Sequence, residues 1–280
     1  MAGVRIVTDS ACDLGNDVVD ELGIRVVPLT IRFGDDEYVD REELSPQDFY
    51  RKMAATSQLP ETAAPAPGAF EQAFSALTDD GADAVVCINI SSELSATMQS
   101  AQTAAKSLEG KADVRIFDSR SITAGLGTQV TEAARAAREG KSADEVVALL
   151  EDLRARTRIL GALDTLENLK KGGRVGGAQA LVGSLLSIKP LVDLSSGKVE
   201  EAGRQRTRRK SLVWLRDRLR EYDGVQHLAV MHADAKDIDE FLDLLEPDHP
   251  RDSVHVGLIG PVIGTHGGPG TIGVCWVAPR

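Results

Sequence analysis

Hydroxyl side chains follow two of the strands that the sequence predicts, at the positions where those strands end. Thr8, Asp9 and Ser10 come directly after the first strand pattern. Ser92 and Ser95 lie between a buried strand pattern and the next helix. Ligands of open α/β sheets bind outside the carboxyl ends of the strands, where serine hydroxyls and free helix N–H groups can bind an anion. Capping of the next helix is an equally good explanation of these serines.

One histidine near the C-terminus lies on a backbone almost bare of side chains. His266 belongs to the stretch IGPVIGTHGGPGTIGV and is one of five histidines in the chain. Glycine allows a backbone to approach a ligand closely or to adopt a positive φ. The histidine therefore either faces a ligand or occupies an exposed turn, and the spacing alone leaves both interpretations open.

Several kinds of catalytic motif are missing from the sequence. The chain contains no G-x-S-x-G turn, which an acyl-transfer serine usually needs, and no G-x-x-x-x-G-K-[ST] phosphate loop. The stretch KKGGRVGG at residues 170–177 lacks the Lys-Ser/Thr ending, so a helix C-terminus followed by a turn explains it as well as a phosphate site does. A serine esterase that uses Ser92 or Ser95 with His266 remains the alternative among enzymes.

Composition restricts the classes of partner. The net charge is −11, which argues against general nucleic-acid binding. The three cysteines are far apart and show no metal-ligand spacing, so we expect no disulfide framework, zinc site or other metal. No apolar run approaches the roughly 20 residues that span a membrane, and no signal peptide is evident, so we expect a cytoplasmic protein.

A basic run contrasts with the acidic chain as a whole. A solvated helix face and a docking surface for an anionic partner explain it equally well. Its members are Arg204, Arg206, Arg208, Arg209, Lys210, Arg216, Arg218 and Arg220.

Alternating strand and helix patterns predict an α/β fold with two domains. Residues 1–156 predict a mostly parallel open sheet with crossover helices, and residues 157–280 a mixed α/β domain. Within this scheme residues 24–31 predict one strand, residues 57–68 an irregular Pro-rich loop, and residues 176–188 a helix rich in Gly and Leu.

Eight segments in register resemble the DegV family over almost the whole chain, from about Val4 to Val277. They are VRIVTDSACDL, LPETAAPAPGAF, ISSELSATMQSA, FDSRSITAGLG, LENLKKGGRVGG, SIKPLVDLSSGKV, RTRRKSL and IGPVIGTHGGPGTIGV. The resemblance implies a DegV-like fold that holds a long-chain fatty acid in an apolar tunnel. It also implies a FakB-type subunit of fatty acid kinase, which presents the carboxylate to a separate ATP-dependent FakA-type kinase subunit for conversion to acyl-phosphate.

The resemblance also implies roles for individual residues. The family's carboxylate-binding positions fall on Thr62, on Ser95 with Ser92 as the near alternative, and on His266. Its arginines associated with phosphoryl transfer or kinase docking fall on Arg174 and Arg206. Two departures lie near the head group: Ala63 and Ala64 stand where the family commonly has Ser-Gln, and Ala96 stands where it has Gly.

We therefore expect a carrier rather than a catalyst, with a bound fatty acid as ligand, no cofactor, and a monomer that docks transiently with the kinase. The segment ALVGSLLSI at residues 180–188 offers an apolar, aromatic-poor wall for the tail, although a packed core explains it equally well. A module that binds lipid only to signal is a third hypothesis beside the carrier and the esterase.

Overall fold

A computed structural model of the chain describes residues 3–56, 58–181 and 188–280. The strands are β1 Val4–Asp9, β2 Arg25–Val27, β3 Thr30–Phe33, β4 Asp36–Val39, β5 Glu61–Ala63, β6 Ala84–Asn89, β7 Val114–Asp118, β8 Thr157–Ala162, β9 Lys189–Asp193, β10 Glu200–Gln205, β11 Gln226–His232, β12 His255–Leu258 and β13 Ile272–Val277. The α-helices are α1 Asn16–Leu22, α2 Pro46–Ala55, α3 Pro67–Asp79, α4 Thr97–Ser107, α5 Thr123–Arg138, α6 Ala143–Arg156, α7 Glu167–Lys171, α8 Arg208–Leu219, α9 Ile238–Leu245 and α10 Pro261–Gly267.

The first sheet is parallel, with the strand order β2-β1-β6-β7. Every residue of β6 is buried, as expected for a central strand that is covered on both faces. Phe70 and Phe74 of α3 pack in the cluster on one face, and Leu126 and Val130 of α5 pack in the cluster on the other. The sheet and its crossover helices confirm the predicted α/β architecture of this half.

The second sheet is mixed, with the strand order β10-β9-β8-β13-β11-β12. Among its described pairs, β11–β12 is parallel and the others are antiparallel. Leu212 of α8 and Phe241 of α9 pack in the cluster on one face. Ile159 and Cys275 belong to the cluster that also holds Leu126 of α5, so the other face packs against the first half of the chain. An apolar cavity lies on this inward face.

The predicted strand over residues 24–31 is wrong, because it is two strands in different sheets. β2 joins the parallel sheet, whereas β3 pairs with β4 and β5 in a separate antiparallel sheet. Pro28 lies between the two strands, and a proline N cannot donate a hydrogen bond to a sheet. The apolar run continues across Pro28, which is why the sequence pattern did not show the break.

The prediction of an irregular loop over residues 57–68 is also wrong in part, since this segment contains β5. Its three residues lie between Pro60 and Pro65, and each can donate a backbone N–H. Ser57 lies outside the described residues. This short strand matters because it carries Thr62.

The predicted helix over residues 176–188 begins as a 3-10 helix at Gly176–Leu181. Residues 182–187 lie outside the described residues, and so does most of the apolar wall expected at residues 180–188. The segment that follows forms a hairpin, in which β9 pairs with β10 in antiparallel orientation.

The domain boundary near residue 156 stays a prediction. The strands of the parallel and three-stranded sheets precede it, and those of the mixed sheet follow it. The two halves share one buried apolar cluster, which includes Ile6 and Cys275.

The three cysteines, Cys12, Cys87 and Cys275, are free and buried.

Candidate functional site

An apolar cavity lies between the inward face of the mixed sheet and the first half of the chain. About 870 Å³ of space between protein atoms lies within it, a volume that includes open solvent at its mouth. Its walls are aliphatic and come from both halves; they include Leu29, Ile90, Ile122, Val192, Met231 and Val262. Such a lining has few groups that could bind a polar molecule.

Six polar side chains of the described residues line the same cavity: Thr62, Ser95, Thr123, Arg174, His266 and Thr271. Three of them, Thr62, Arg174 and His266, also line a polar outer pocket that opens to solvent. These three side chains therefore mark the junction between an apolar interior and a polar exterior. A ligand with an apolar tail and an anionic head would place its head at this junction.

Thr62 and His266 are hydrogen-bonded to each other across this junction. Thr62 pairs with Ile31 in the three-stranded sheet, and its Oγ1 lies 3.0 Å from Nε2 of His266. Strand β5 therefore positions the threonine, and the helix α10 positions the histidine.

His266 lies in the last turn of α10, a helix that the sequence interpretation did not foresee. Pro261 begins this helix, a position that suits proline because the first helical N–H has no partner within the helix. Asn168 Nδ2 donates to the carbonyl oxygen of Thr265 at 3.0 Å, and Tyr50 Oη donates to that of Ile259 at 2.8 Å. The helix is thus fixed from two sides.

Gly172 and Gly264 allow close contacts around this helix. A Cβ on Gly172 would overlap the His266 ring at Nδ1, and a Cβ on Gly264 would lie 2.6 Å from Tyr50 Oη. The glycines therefore allow α7 and α2 to approach α10 closely.

His266 is neutral at pH 7. Burial, followed by the positive charge of Arg174, lowers its pKa from 6.5 to about 4. Its Nδ1 is buried and has no hydrogen-bond partner among the described residues. A neutral imidazole can donate from one ring nitrogen and accept at the other, so His266 can serve as a donor to an anionic head group.

Arg174 connects two loops at the mouth of the cavity. Its Nε donates to the carbonyl oxygen of Leu94 at 3.1 Å, and its Nη1 donates to that of Gly172 at 2.6 Å. The helix C-terminus expected in KKGGRVGG is present, with Gly172 as the C-cap of α7 and Gly173 at φ +70°. The arginine therefore both holds the Ser95 loop in place and lines the cavity.

The two candidate serines have different environments. Ser95 Oγ lies 2.9 Å from Thr97 Oγ1 and accepts from the backbone N–H of Thr97 at 3.3 Å, so it helps to begin α4 while it lines the cavity. Ser92 does not line the cavity; its hydroxyl donates to Oδ2 of Asp118 at 2.5 Å. Of the two, only Ser95 is brought together with Thr62 and His266.

An esterase would need a hydrogen bond between a nucleophilic serine and a base. In the described part of the chain neither serine is hydrogen-bonded to His266, whose Nε2 instead pairs with Thr62. The arrangement that the esterase hypothesis requires is therefore not formed.

Arg206 is exposed and lies just after β10, outside the residues that line the cavity. Several of its neighbours in the basic run form ion pairs, which favours the solvated-face explanation for them. These pairs are Arg208–Asp237, Arg209–Glu240, Arg216–Asp217, Arg218–Glu221 and Arg220–Asp248.

The polar residues at the end of β1 serve the fold. Asp9 accepts hydrogen bonds from the backbone N–H groups of Ile90 and Ala11 at 2.8 and 3.1 Å, and from Asn89 Nδ2 at 3.1 Å. Ser10 Oγ accepts from the N–H of Leu29 at 3.0 Å. Burial raises the pKa of Asp9 to about 6, although these hydrogen bonds act to lower it. This group fastens the ends of β1 and β6 to each other.

Asn168 and Lys171 line the outer pocket and were missed by the sequence interpretation. The sequence signal that could have identified them is their position in the segment that leads to Gly-Gly-Arg.

Within residues 3–56, 58–181 and 188–280, no group of three or more His, Cys, Asp or Glu side chains is placed to hold a metal ion. No helix in these ranges is long and apolar enough to cross a membrane.

Comparisons with known proteins find relatives that match almost the whole chain. The family model described as an uncharacterised protein of the DegV family matches residues 3–279. A DegV domain-containing protein of Halalkalibacterium halodurans is 35% identical over 99% of both chains, and one of Streptomyces coelicolor is 35% identical over 97% of both.

Solved structures are similar over almost the whole chain. A DegV family protein from Thermus thermophilus, described with fatty acid binding, has a TM-score of 0.90 and 34% identity and covers 99% of this chain and 100% of its own. DegV from Bacillus subtilis, described as a fatty acid binding protein, has a TM-score of 0.88 and 29% identity over 99% of both chains. A stearic acid-binding protein from Eubacterium ventriosum has a TM-score of 0.88 and 26% identity over 98% of both.

Proposed function

The chain belongs to the DegV family, and on that premise we propose that it binds a long-chain fatty acid and presents the carboxylate to a separate kinase. The acyl chain occupies the apolar cavity, and the carboxylate lies at the junction with the outer pocket. The observation that carries this proposal is the cavity itself, which is aliphatic inside and has Thr62, Ser95 and His266 among its lining residues.

The tail supplies most of the affinity. A fatty acid of about 16 carbons buries about 14 methylene groups, worth about 11 kcal/mol at roughly 0.8 kcal/mol each, before the costs of ordering the ligand. The aliphatic walls match such a chain, and solved relatives described as fatty-acid-binding have the same fold.

The head group is recognised by donors that come from different parts of the chain. Hydrogen bonds to a charged group contribute about 1.5–3 kcal/mol each. The hydroxyl groups of Thr62 and Ser95 and the neutral ring of His266 can donate to the two carboxylate oxygens, and the guanidinium of Arg174 adds a positive charge nearby. Ser92 is left out of this set because its hydroxyl is bonded to Asp118.

The outer pocket is the route by which the kinase reaches the carboxylate. A carboxylate oxygen attacks the γ-phosphorus of ATP on the kinase, and the bond from that phosphorus to the bridging oxygen breaks, which gives acyl-phosphate and ADP. Lys171 and Arg174 line this pocket and can offset the added negative charge. The exposed Arg206 is proposed as a docking contact for the kinase. The sequence has no nucleotide-binding loop of its own, so the protein acts as a carrier.

Mass spectrometry of the purified protein after denaturation tests the ligand. We expect a long-chain fatty acid in the wild type, and its loss in the double variant Thr62→Ala, Ser95→Ala. Ser92→Ala is the matched control, since its hydroxyl lies outside the cavity, and it should retain the lipid. A wild-type protein that carries no lipid and has no affinity for any long-chain acid would contradict the proposal.

The kinase role is tested separately by adding a FakA-type subunit and ATP to the loaded protein. We expect acyl-phosphate, trapped as the hydroxamate, and a lower rate with Arg206→Ala at unchanged lipid content. Lipid binding without any acyl-phosphate would leave a carrier that serves another purpose, such as signalling.

A further inference from the structure

Two glycines on neighbouring strands form part of the floor of the apolar cavity. Gly161 of β8 is the cross-strand partner of Gly273 of β13, and both line the cavity. Side chains on a strand alternate between its faces, so the next pair on the same face is Ile159 with Cys275, which also lines the cavity. The floor is therefore bare backbone at one pair and covered by side chains at the next.

The fold itself does not require glycine at position 273. A Cβ there would lie 3.4 Å from the carbonyl oxygen of Leu160 and 3.9 Å from that of Met231, which are ordinary contacts. The φ of Gly273 is not in the left-handed region. Gly161 differs, because its Cβ would lie 3.2 Å from Cγ2 of Val192, so packing accounts for glycine at that position.

Glycine inside a strand lowers stability because it loses more backbone entropy than other residues and has no side chain to pack. Where the local structure would accept a side chain, another cause must favour glycine. Close approach of a ligand to the backbone is such a cause, and Gly273 faces the cavity that the acyl chain would fill.

We propose that Gly273 is a specificity-determining residue, at which the acyl chain lies directly against the backbone of β13. This inference rests on the proposed function. Thr271 just before β13, and Gly273 and Cys275 within it, line the cavity in turn, and Thr271 Oγ1 donates to the carbonyl oxygen of Gly267 in the helix that carries His266. The strand therefore leads away from the head-group end, and Gly273 lies about 7 Å beyond Thr271 at about 3.3 Å per residue.

The test is the variant Gly273→Ala, whose methyl group would enter the space of the acyl chain. An extra methyl in a filled cavity weakens palmitic acid binding about tenfold or more, and Gly273→Val should weaken it further. In the delipidated protein the same substitution should leave stability against urea unchanged or raise it. Gly68→Ala is the matched control, because a Cβ there meets no atom within 4 Å, and it lies on α3.

The outcomes separate this inference from the proposed function. Wild-type protein without affinity for palmitic acid or any other long-chain fatty acid would contradict the proposed function. Wild type that binds palmitic acid, together with Gly273→Ala that binds it equally well, would overturn the role of Gly273 alone. So would a Gly273→Ala protein that loses stability when delipidated, since glycine would then be needed by the fold.

Discussion

Thr62 Oγ1 lies 3.0 Å from Nε2 of His266, although 204 residues separate them in the chain. The pair joins the short strand β5 of the first half to the helix α10 of the second, at the point where the apolar cavity meets the outer pocket. A polar contact here places two hydrogen-bonding groups at the mouth of an aliphatic cavity, where a carboxylate can replace the bond that they make with each other.

Thr62→Val should weaken fatty acid binding without unfolding the protein. Valine has nearly the shape of threonine but lacks the hydroxyl, so one hydrogen bond to the charged carboxylate is lost. At about 1.5–3 kcal/mol this loss lowers the affinity about ten- to a hundredfold. Titration calorimetry with palmitic acid measures it, and Thr62→Ser, which keeps the hydroxyl, serves as control. Equal affinity in Thr62→Val and wild type would show that the hydroxyl does not contact the ligand.

Gly172→Ala should displace the imidazole of His266. The added methyl group would overlap Nδ1 of the ring, and overpacking of this kind costs about 1–3 kcal/mol. We expect a lower midpoint of urea unfolding and weaker binding of palmitic acid. Gly68→Ala, at an open position of α3, controls for the exchange of glycine for alanine. A Gly172→Ala protein as stable as wild type would mean that the ring has room to move.

His266 should make stability depend on pH in a window between about 4 and 6.5. Burial and Arg174 lower its pKa to about 4 in the folded protein, whereas the unfolded chain binds this proton near 6.5. The unfolded state therefore binds more protons in this window, and the free energy of unfolding falls as pH is lowered, by no more than about 3 kcal/mol.

The comparison with His266→Gln isolates this effect. The difference in unfolding free energy between wild type and variant should shrink as pH falls from 7 to 4. NMR titration of the ring protons gives the pKa directly, and a bound carboxylate should raise it by favouring the imidazolium form. A ring that titrates near 6.5 without ligand would contradict the burial seen here.

Asp13 should make the free energy of unfolding depend on pH in the opposite direction. Burial raises the pKa of its carboxyl group from 3.8 to about 7. Between these values the folded state binds more protons than the unfolded state, so the stability due to Asp13 is lost as pH rises through about 7.

Asp13→Asn keeps an acceptor oxygen and removes the charge. Its urea midpoint should therefore exceed that of wild type at pH 8, and the advantage should decline on acidification towards pH 4. A constant difference across this range would show that Asp13 is ionised throughout.

The sequence alone determined the local elements and the residue types of the site. Serine followed by proline is a typical helix start, and Ser45 caps α2, with the N–H of Asp48 donating to Ser45 Oγ at 3.1 Å. The buried β6 was recognisable because a central parallel strand is apolar throughout. Thr62, Ser95, Arg174 and His266 were identified by resemblance, and the folded chain places all four around one cavity.

Only the tertiary structure decided where those residues meet and how their chemistry is set. The division of residues 24–31 between two sheets and the strand at Glu61–Ala63 arise from pairing between distant segments, which no local pattern encodes. The lowered pKa of His266 comes from burial and from Arg174, both properties of the packed molecule. Ser92 and Ser95 are three residues apart and look equivalent in the chain, yet the turn into α4 directs one to Asp118 and leaves the other at the cavity. The sequence determines which side chains are available, whereas packing determines which of them lie around the same cavity.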